Sequence, residues 1–177
     1  GPGTLANVQR HTTFADIDAV VISHCHPDHW TELPVLRNVL KYVIHRSGVP
    51  VHGPAETLAM AEAATHDGLA PTFDWHVISD HATTDIGALR FTFSRTDHPV
   101  ETLAVRIEDT TPGGAIAYSS DTGPAWSVSS FGADIDLDFE FSRLFRENQS
   151  GQIVALGVLL PVDEVLVRRD FQGVTQD

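Results

Sequence analysis

The chain has 177 residues, of which 42% are hydrophobic and 20% are charged, which is ordinary for a soluble globular protein. Its formal net charge of -13 argues against binding of long nucleic acids, because such proteins normally present a basic face to the phosphates. No run approaches the ~18 apolar residues of a membrane span, and the single cysteine, Cys25, excludes an internal disulfide. We therefore expect one domain, residues 1–177, in the cytoplasm and without membrane association.

The first predicted elements are a short helix, a strand and a longer helix. Gly1-Pro2-Gly3 is followed by a short helical pattern that contains Leu5 and Val8. Residues 18–23 form a brief apolar, β-branched run, which predicts a buried strand. Residues 31–46 then predict a helix, because one helical face collects Leu33, Leu36, Val39, Leu40, Val43 and Ile44.

Between that strand and that helix lies a dense run of metal-binding residue types. His24, His26, Asp28 and His29 spell His-x-His-x-Asp-His, and imidazole and carboxylate are ligands that suit zinc, iron or manganese. In a loop, the first two histidines can grip one metal while Asp28 and His29 turn toward a second. The motif follows the carboxyl end of a strand, where open α/β sheets place their sites. The alternative is a solvated histidine-rich turn.

Further along the chain, strands and one more helix alternate. Residues 49–53 predict a strand, residues 54–66 an alanine-rich helix and residues 73–79 another strand. In residues 88–94, Leu89, Phe91 and Phe93 alternate with polar residues, which is typical of a half-buried strand. Residues 102–107 and 115–119 predict two more strands. This pattern is compatible with an α+β fold or an α/β/β/α sandwich.

The last forty residues give a less definite pattern. Residues 134–141 alternate acidic and apolar side chains, which favours an exposed strand. The apolar run 152–160 predicts a helix or a strand, and residues 161–167 predict an edge strand.

Two later segments, together with the histidine motif, resemble a known family. Asp97-His98-Pro99-Val100-Glu101 and the stretch 118–124, which contains Asp121, look like the next ligand segments of the metallo-β-lactamase-fold hydrolases. Within that family the likeness is to the ribonuclease Z and cyclic-nucleotide phosphodiesterase branch. It covers about residues 1–135, and residues 136–177 diverge.

The resemblance implies the α/β class and an αββα sandwich. It places the start of the chain inside the family's glycine-rich turn, so we expect the opening strands to be missing and the sandwich to be incomplete. The alternative is that Gly1-Pro2-Gly3 is foreign to the protein.

The resemblance also implies roles for the site residues. His24, His26 and His98 would hold one ion, Asp28 and His29 would begin a second, and Asp121 would bridge both. Taken alone, His98 and Asp121 are also compatible with ordinary surface turns. The family closes its second ion with a late histidine, whereas this sequence has no histidine after His98, so we expect weaker binding there.

The predicted function is a metal-dependent hydrolase with one or two Zn²⁺ ions, Mn²⁺ or Fe being alternatives. We expect a phosphodiesterase that uses a metal-activated hydroxide oriented by Asp28, acting on small phosphodiesters rather than long nucleic acid. A homodimer is compatible with the sequence. Two rival hypotheses are a hydrolase of thioesters, lactones or β-lactams, and an impaired metal-binding remnant without catalysis.

Overall fold

The computed structural model of the chain describes residues 1–111, 113–132, 135–139, 145–147 and 153–155. The helices are α1 (Thr4–Val8), α2 (Pro27–Trp30), α3 (Leu33–Asn38, continued by a π-helical stretch Val39–Ile44) and α4 (Ala55–Ala63), with 3₁₀ turns at Phe14–Asp16 and Val128–Phe131. The strands are β1 (Val20–Val21), β2 (Val49–Gly53), β3 (Phe73–Val77), β4 (Thr83–Ile86), β5 (Leu89–Arg95), β6 (Leu103–Asp109), β7 (Ala115–Tyr118), β8 (Leu137–Phe139), β9 (Phe145–Glu147) and β10 (Ile153–Ala155).

The strands form two principal sheets. Strands β1, β2 and β3 pair in parallel in that order, and their connections run through helices, as parallel pairing requires. Strands β4 to β8 form a second sheet in sequence order, antiparallel except for the parallel pair β7–β8. Strands β9 and β10 form a separate antiparallel pair.

The first core lies between the three-stranded sheet and the helices. Leu33, Leu36 and Leu40 pack against strand residues that include Val49 and Val51. Leu40, Val49 and Val51 are fully buried. Trp30 is buried in the same cluster. These helices therefore cover one face of the three-stranded sheet.

The second core lies between the two sheets. Phe91, Phe93 and Val105 alternate toward the interior of the five-stranded sheet, and Val21 of β1 packs against their cluster. The alternation predicted for residues 88–94 is thus confirmed at Phe91 and Phe93, whereas Leu89, at the start of β5, is 40% exposed. On the outer face of this sheet, the Trp126 indole donates a hydrogen bond to Ser94 beside the 3₁₀ turn Val128–Phe131. The described layers are therefore helix, sheet and sheet, with a 3₁₀ turn beyond.

One prediction for the longer helix is wrong. Val43 was expected on the buried face, yet it is 71% exposed, whereas Leu40 is completely buried. The reason is the π-helical stretch Val39–Ile44, in which the wider turn shifts the phase of the buried face. A strictly 3.6-residue period therefore fails over the last turn.

The sequence patterns of the last forty residues are tested in part. Strand β8 lies within the predicted strand 134–141 and pairs with β7, and β10 lies within the apolar run 152–160. The predicted strand at 161–167 lies outside the described residues. None of the helices in the described ranges has both the length and the apolar character of a transmembrane segment.

The two helix positions give a direct stability prediction. Leu40→Ala should lower the free energy of unfolding by about 2–5 kcal/mol, because it empties a fully buried volume. Val43→Ala, three residues away, should change it by less than about 0.5 kcal/mol, because the side chain is mostly in solvent. Urea unfolding of both variants measures the difference, and equal losses would place Val43 in the core after all.

Candidate metal centre

Three loops bring the predicted ligands together at one edge of the sheets. His24 and His26 lie between β1 and α2, His98 lies between β5 and β6, and Asp121 follows β7. One ligand atom from each of these four residues lies within 4.8 Å of all the others. The structure therefore assembles these four residues into one cluster, as expected for a metal centre. That they bind a metal remains a prediction.

The imidazole nitrogens are spaced as metal ligands are. His26 Nδ1 lies 3.1 Å from His24 Nε2 and 3.1 Å from His98 Nε2. Two nitrogens bound tetrahedrally to one zinc ion at about 2.1 Å would be about 3.4 Å apart. A single ring nitrogen either donates one proton or accepts one hydrogen bond through its lone pair. His26 Nδ1 therefore cannot form good hydrogen bonds with both of its neighbours at once. A shared cation would satisfy all three nitrogens.

The burial of His24 keeps its ring neutral. The side chain is fully buried, and desolvation, with a further contribution from His29, lowers its pKa to about 4. Desolvation also lowers the pKa of His98. Neutral imidazole is the form that binds a metal, so these two rings do not need to release a proton at neutral pH.

Asp121 supplies the negative charge of the cluster. The neighbouring His29 ring lowers the pKa of Asp121 despite partial burial, so the carboxylate is ionised. Its Oδ2 lies 3.8 Å from His24 Nε2, and its Oδ1 lies 3.5 Å from His29 Nε2. Oδ1 is buried and receives no hydrogen bond from the described residues. Because the His29 nitrogen lies 3.5 Å away, a cation would be a closer partner for this buried oxygen.

His29 and Asp28 lie beside the cluster rather than inside it. His29 Nε2 lies 3.5 Å from an oxygen of Asp28 and 3.5 Å from Asp121 Oδ1. The Asp28 side chain is 71% exposed, whereas that of His29 is 15% exposed. The geometry thus leaves Asp28, His29 and Asp121 as a looser, more open group next to the first. Their role as a second metal site remains a prediction.

Local backbone features hold the ligand loops in place. The Trp30 indole donates a hydrogen bond of 2.7 Å to the carbonyl of Cys25, which lies between the first two histidines. Pro27 opens α2 at a position where a missing N–H costs nothing. Ser120 adopts φ of 56°, a left-handed conformation that is uncommon outside glycine and that frequently marks functional turns.

Sequence reasoning missed one supporting residue, Ser23. Its hydroxyl lies 3.0 Å from His24 Nδ1, the nitrogen that faces away from the cluster. Ligating histidines usually bond their second nitrogen to a nearby oxygen, which fixes the ring's tautomer and orientation. The signal was present in the sequence, since a hydroxyl residue directly precedes the motif.

The donor set fits a divalent transition metal. Three imidazoles and one carboxylate are a usual environment for zinc and are also acceptable to iron and manganese. The sulfur of Cys25 is not among the converging ligand atoms, although the residue sits between two of them, and burial raises the pKa of its thiol. A thiolate is therefore not needed to complete the set.

Comparison with known proteins gives a family match and curated relatives. Residues 1–137 match the β-lactamase superfamily domain. An uncharacterised protein of Mycobacterium tuberculosis is 35% identical over 131 residues, which cover 70% of this chain and 47% of that protein. The chain spans about half the length of the curated relatives it matches.

Solved structures show the same fold at low sequence identity. The metallo-β-lactamase fold protein YhfI of Bacillus subtilis has a TM-score of 0.65 at 23% identity, covering 78% of this chain and 54% of that one. A diphosphatase of the PhnP family has a TM-score of 0.56 at 17% identity, covering 88% of this chain and 58% of that one. The predicted metallo-β-lactamase fold is therefore confirmed.

The buried state of His24 predicts a pH-dependent stability of the metal-free protein. Its pKa is about 4 in the folded chain and about 6.5 when unfolded, so the unfolded state binds more protons between these values. The free energy of unfolding should therefore fall as the pH drops from about 6.5 to about 4, by up to about 3 kcal/mol from this group. Urea unfolding after chelation, at several pH values, measures the slope.

Two variants separate His24 from the other titrating groups. His24→Asn should show a smaller loss of stability on acidification than the wild type. His11→Asn is the control, because that residue is exposed and belongs to none of the ion pairs found among the described residues, and it should keep the wild-type slope. An unchanged slope in His24→Asn would contradict the prediction.

Proposed function

Because the chain belongs to the β-lactamase superfamily and has the metallo-β-lactamase fold, we propose that it is a metal-dependent hydrolase of small phosphodiesters. The observation that carries the proposal is the convergence of His24, His26, His98 and Asp121, with His29 and Asp28 alongside. The residues required for metal-assisted hydrolysis thus come from three loops and meet at one open edge.

The residues would divide between two ion positions. His24, His26, His98 and Asp121 would hold the first ion, and Asp28, His29 and the shared Asp121 would hold the second. When bound, divalent ions supply Lewis acidity that polarises a phosphoryl oxygen and acidifies water. The split contacts of the Asp121 carboxylate, one oxygen toward His24 and the other toward His29, support this arrangement.

Asp28 would handle the proton of the attacking water. Its carboxylate is mostly exposed and lies next to the His29 ring, so it can both face a substrate and remain tethered to the centre. A carboxylate in that position accepts a hydrogen bond from water and so orients it for in-line attack. His29 holds Asp28 and Asp121 at equal distances, which keeps the carboxylate close to the ligand cluster.

The distribution of charge favours a small substrate. The net charge is -13, and several described cations are already engaged within the protein. Arg90 pairs with Asp85, Arg106 with Glu108, and Lys41 with Asp67. Long nucleic acids draw their affinity from free cationic side chains that contact phosphates. A small diester carries one charge, which a metal centre can neutralise by itself.

A protein of the same fold acts on phosphoryl groups. The PhnP-family neighbour is described as a diphosphatase, and at 17% identity it shares the fold with this chain. The ligand segment Asp97-His98-Pro99-Val100-Glu101 resembles the phosphodiesterase branch. Hydrolysis of a thioester, lactone or β-lactam uses the same Lewis acidity, so the substrate class has to be tested directly.

The difference between the two ion positions predicts unequal affinities. After dialysis, the chain should retain about one zinc ion, because the first position has four converging ligands and a zinc site needs about four. Metal analysis and titration should reveal a second, weaker site in excess zinc. His98→Ala should abolish tight binding, whereas His29→Ala should remove the weaker site. His76→Ala, a histidine 48% exposed beside Asp74, is the control. Two ions retained after dialysis would show that further residues complete the second position.

The substrate class is tested by a screen with zinc or manganese in excess. We expect bis-p-nitrophenyl phosphate and cyclic nucleotides to be cleaved faster than a thioester, a lactone or a chromogenic lactam. Asp28→Asn should lower the rate by about 10²–10⁴-fold, as for loss of a general base, without abolishing tight metal binding. Cleavage of a tRNA precursor as fast as a cyclic nucleotide at physiological salt would overturn the preference for small substrates.

A further inference from the structure

Two loops at the metal centre are tied together by hydrogen bonds that do not belong to either sheet. The Thr96 hydroxyl donates to the carbonyl of Asp121 at 2.7 Å, and the N–H of Asp97 donates to the Thr122 hydroxyl at 3.3 Å. In the opposite direction, the N–H of Gly123 donates to the carbonyl of Asp97 at 2.6 Å. The N–H of Ala125 donates to the Asp97 carboxylate at 3.1 Å. We call these four bonds the 96–125 clasp.

The clasp links the two segments that carry the last two predicted ligands. His98 follows Asp97 directly, and Asp121 is itself a clasp residue. Strands β5 and β7, from which these segments emerge, are not neighbours, because β6 lies between them. The hydrogen bonds of the sheet therefore connect these two segments only through β6, whereas the clasp connects them directly.

The packing around the clasp leaves little freedom. Thr96 is 5% exposed, so removal of its hydroxyl would leave the carbonyl of Asp121 without a largely buried donor. Gly123 approaches Asp97 so closely that an added Cβ would collide with the Asp97 carboxylate. Both features hold the loop of Asp121 against the loop of His98.

We propose that Thr96 and Asp97 are positioning residues that hold Asp121 at ligand distance from the three histidines. The proposal rests on the metal site proposed above. The clasp acts through Asp121 and His98 rather than by touching the ion or the substrate. Loss of the clasp therefore lowers the metal affinity and alters the geometry of the metal centre. Loss of a hydrogen bond elsewhere in the protein lowers the stability alone. Supporting residues of this kind typically contribute about 10- to 100-fold to metal affinity.

The first experiment removes and restores the Thr96 hydroxyl. Thr96→Val keeps the shape of the side chain and deletes the donor, and Thr96→Ser returns it. Zinc affinity is measured by competition with a chelator, and the geometry of the centre by the visible spectrum of the Co²⁺-substituted protein. We expect about 10- to 100-fold weaker zinc binding and an altered spectrum in Thr96→Val, with both restored in Thr96→Ser.

The matched control is Thr65→Val. Thr65 is also buried, and its hydroxyl also donates to a main-chain carbonyl, that of Ala61 at 2.8 Å, but it lies beyond the end of α4. Thermal unfolding should show a comparable loss of stability for both valine variants. Zinc affinity and the Co²⁺ spectrum should change in Thr96→Val alone.

The second experiment uses Asp97, which is exposed and therefore tolerates substitution better than Thr96. Asp97→Ala removes the acceptor for the Ala125 N–H, whereas Asp97→Asn removes the charge and keeps an oxygen acceptor. If the clasp positions Asp121, Asp97→Ala should bind zinc more weakly than Asp97→Asn does. Asp80→Ala is the control, because Asp80 accepts a main-chain N–H from Arg95 at 2.7 Å outside the clasp.

The outcomes separate the clasp from the metal site itself. If the wild type binds no zinc or Co²⁺, the proposed function fails and the clasp fails with it. If the wild type binds zinc, and Thr96→Val and Asp97→Ala bind it with the same affinity as the wild type, only the proposed role of the clasp is wrong. If Thr96→Val does not fold, the comparison of Asp97→Ala with Asp97→Asn decides. An equal loss in these two variants would assign the effect to charge and overturn the clasp.

Discussion

The rest of the site depends on one constraint, which is that three imidazoles present ring nitrogens to one another at close range. His26 Nδ1 faces both His24 Nε2 and His98 Nε2 at 3.1 Å. An added proton would relieve the crowding, but the burial of His24 disfavours a protonated ring there. A divalent cation would relieve it better, because it could be held by all three rings and by the ionised Asp121. The cluster is therefore better suited to a divalent cation than to an added proton.

The fold supplies this arrangement by ending strands of both sheets at one edge. Val21 of β1 packs on the core of the five-stranded sheet, so the loop with His24 and His26 is held against the loops after β5 and β7. The amide N–H of Leu103 also donates to the carbonyl of Ser23, which ties the first loop to the start of β6. Burial of apolar surface between the sheets therefore offsets the unfavourable desolvation of the ligands.

The sequence predicted those features that depend on residues close together in the chain. The histidine motif was visible because its ligands lie within six positions, and the strand at Phe91 and Phe93 was visible because its alternation is local. Strand β4, which the sequence analysis did not predict, is short and polar, with Thr83, Thr84 and Asp85, so it lacks an apolar alternation. Val43 was misplaced because a π-helical stretch changes the period. The clasp between Thr96 and Asp121 joins residues 25 positions apart, and no periodicity encodes such a bond.

The excess of acidic residues would repel an anionic ligand, whereas the proposed metal centre would attract it. The distance over which each effect acts decides which of them prevails. Repulsion between the -13 chain and an anion is screened beyond about 8 Å at physiological ionic strength, so distant carboxylates hardly affect a small ligand at the centre. Close to the centre, bound cations would dominate and attract a phosphate. A long polyanion would also extend beyond the centre, and Lys41, Arg90 and Arg106 already pair with carboxylates. The proposed preference for small diesters thus rests on the size of the ligand as well as on its charge.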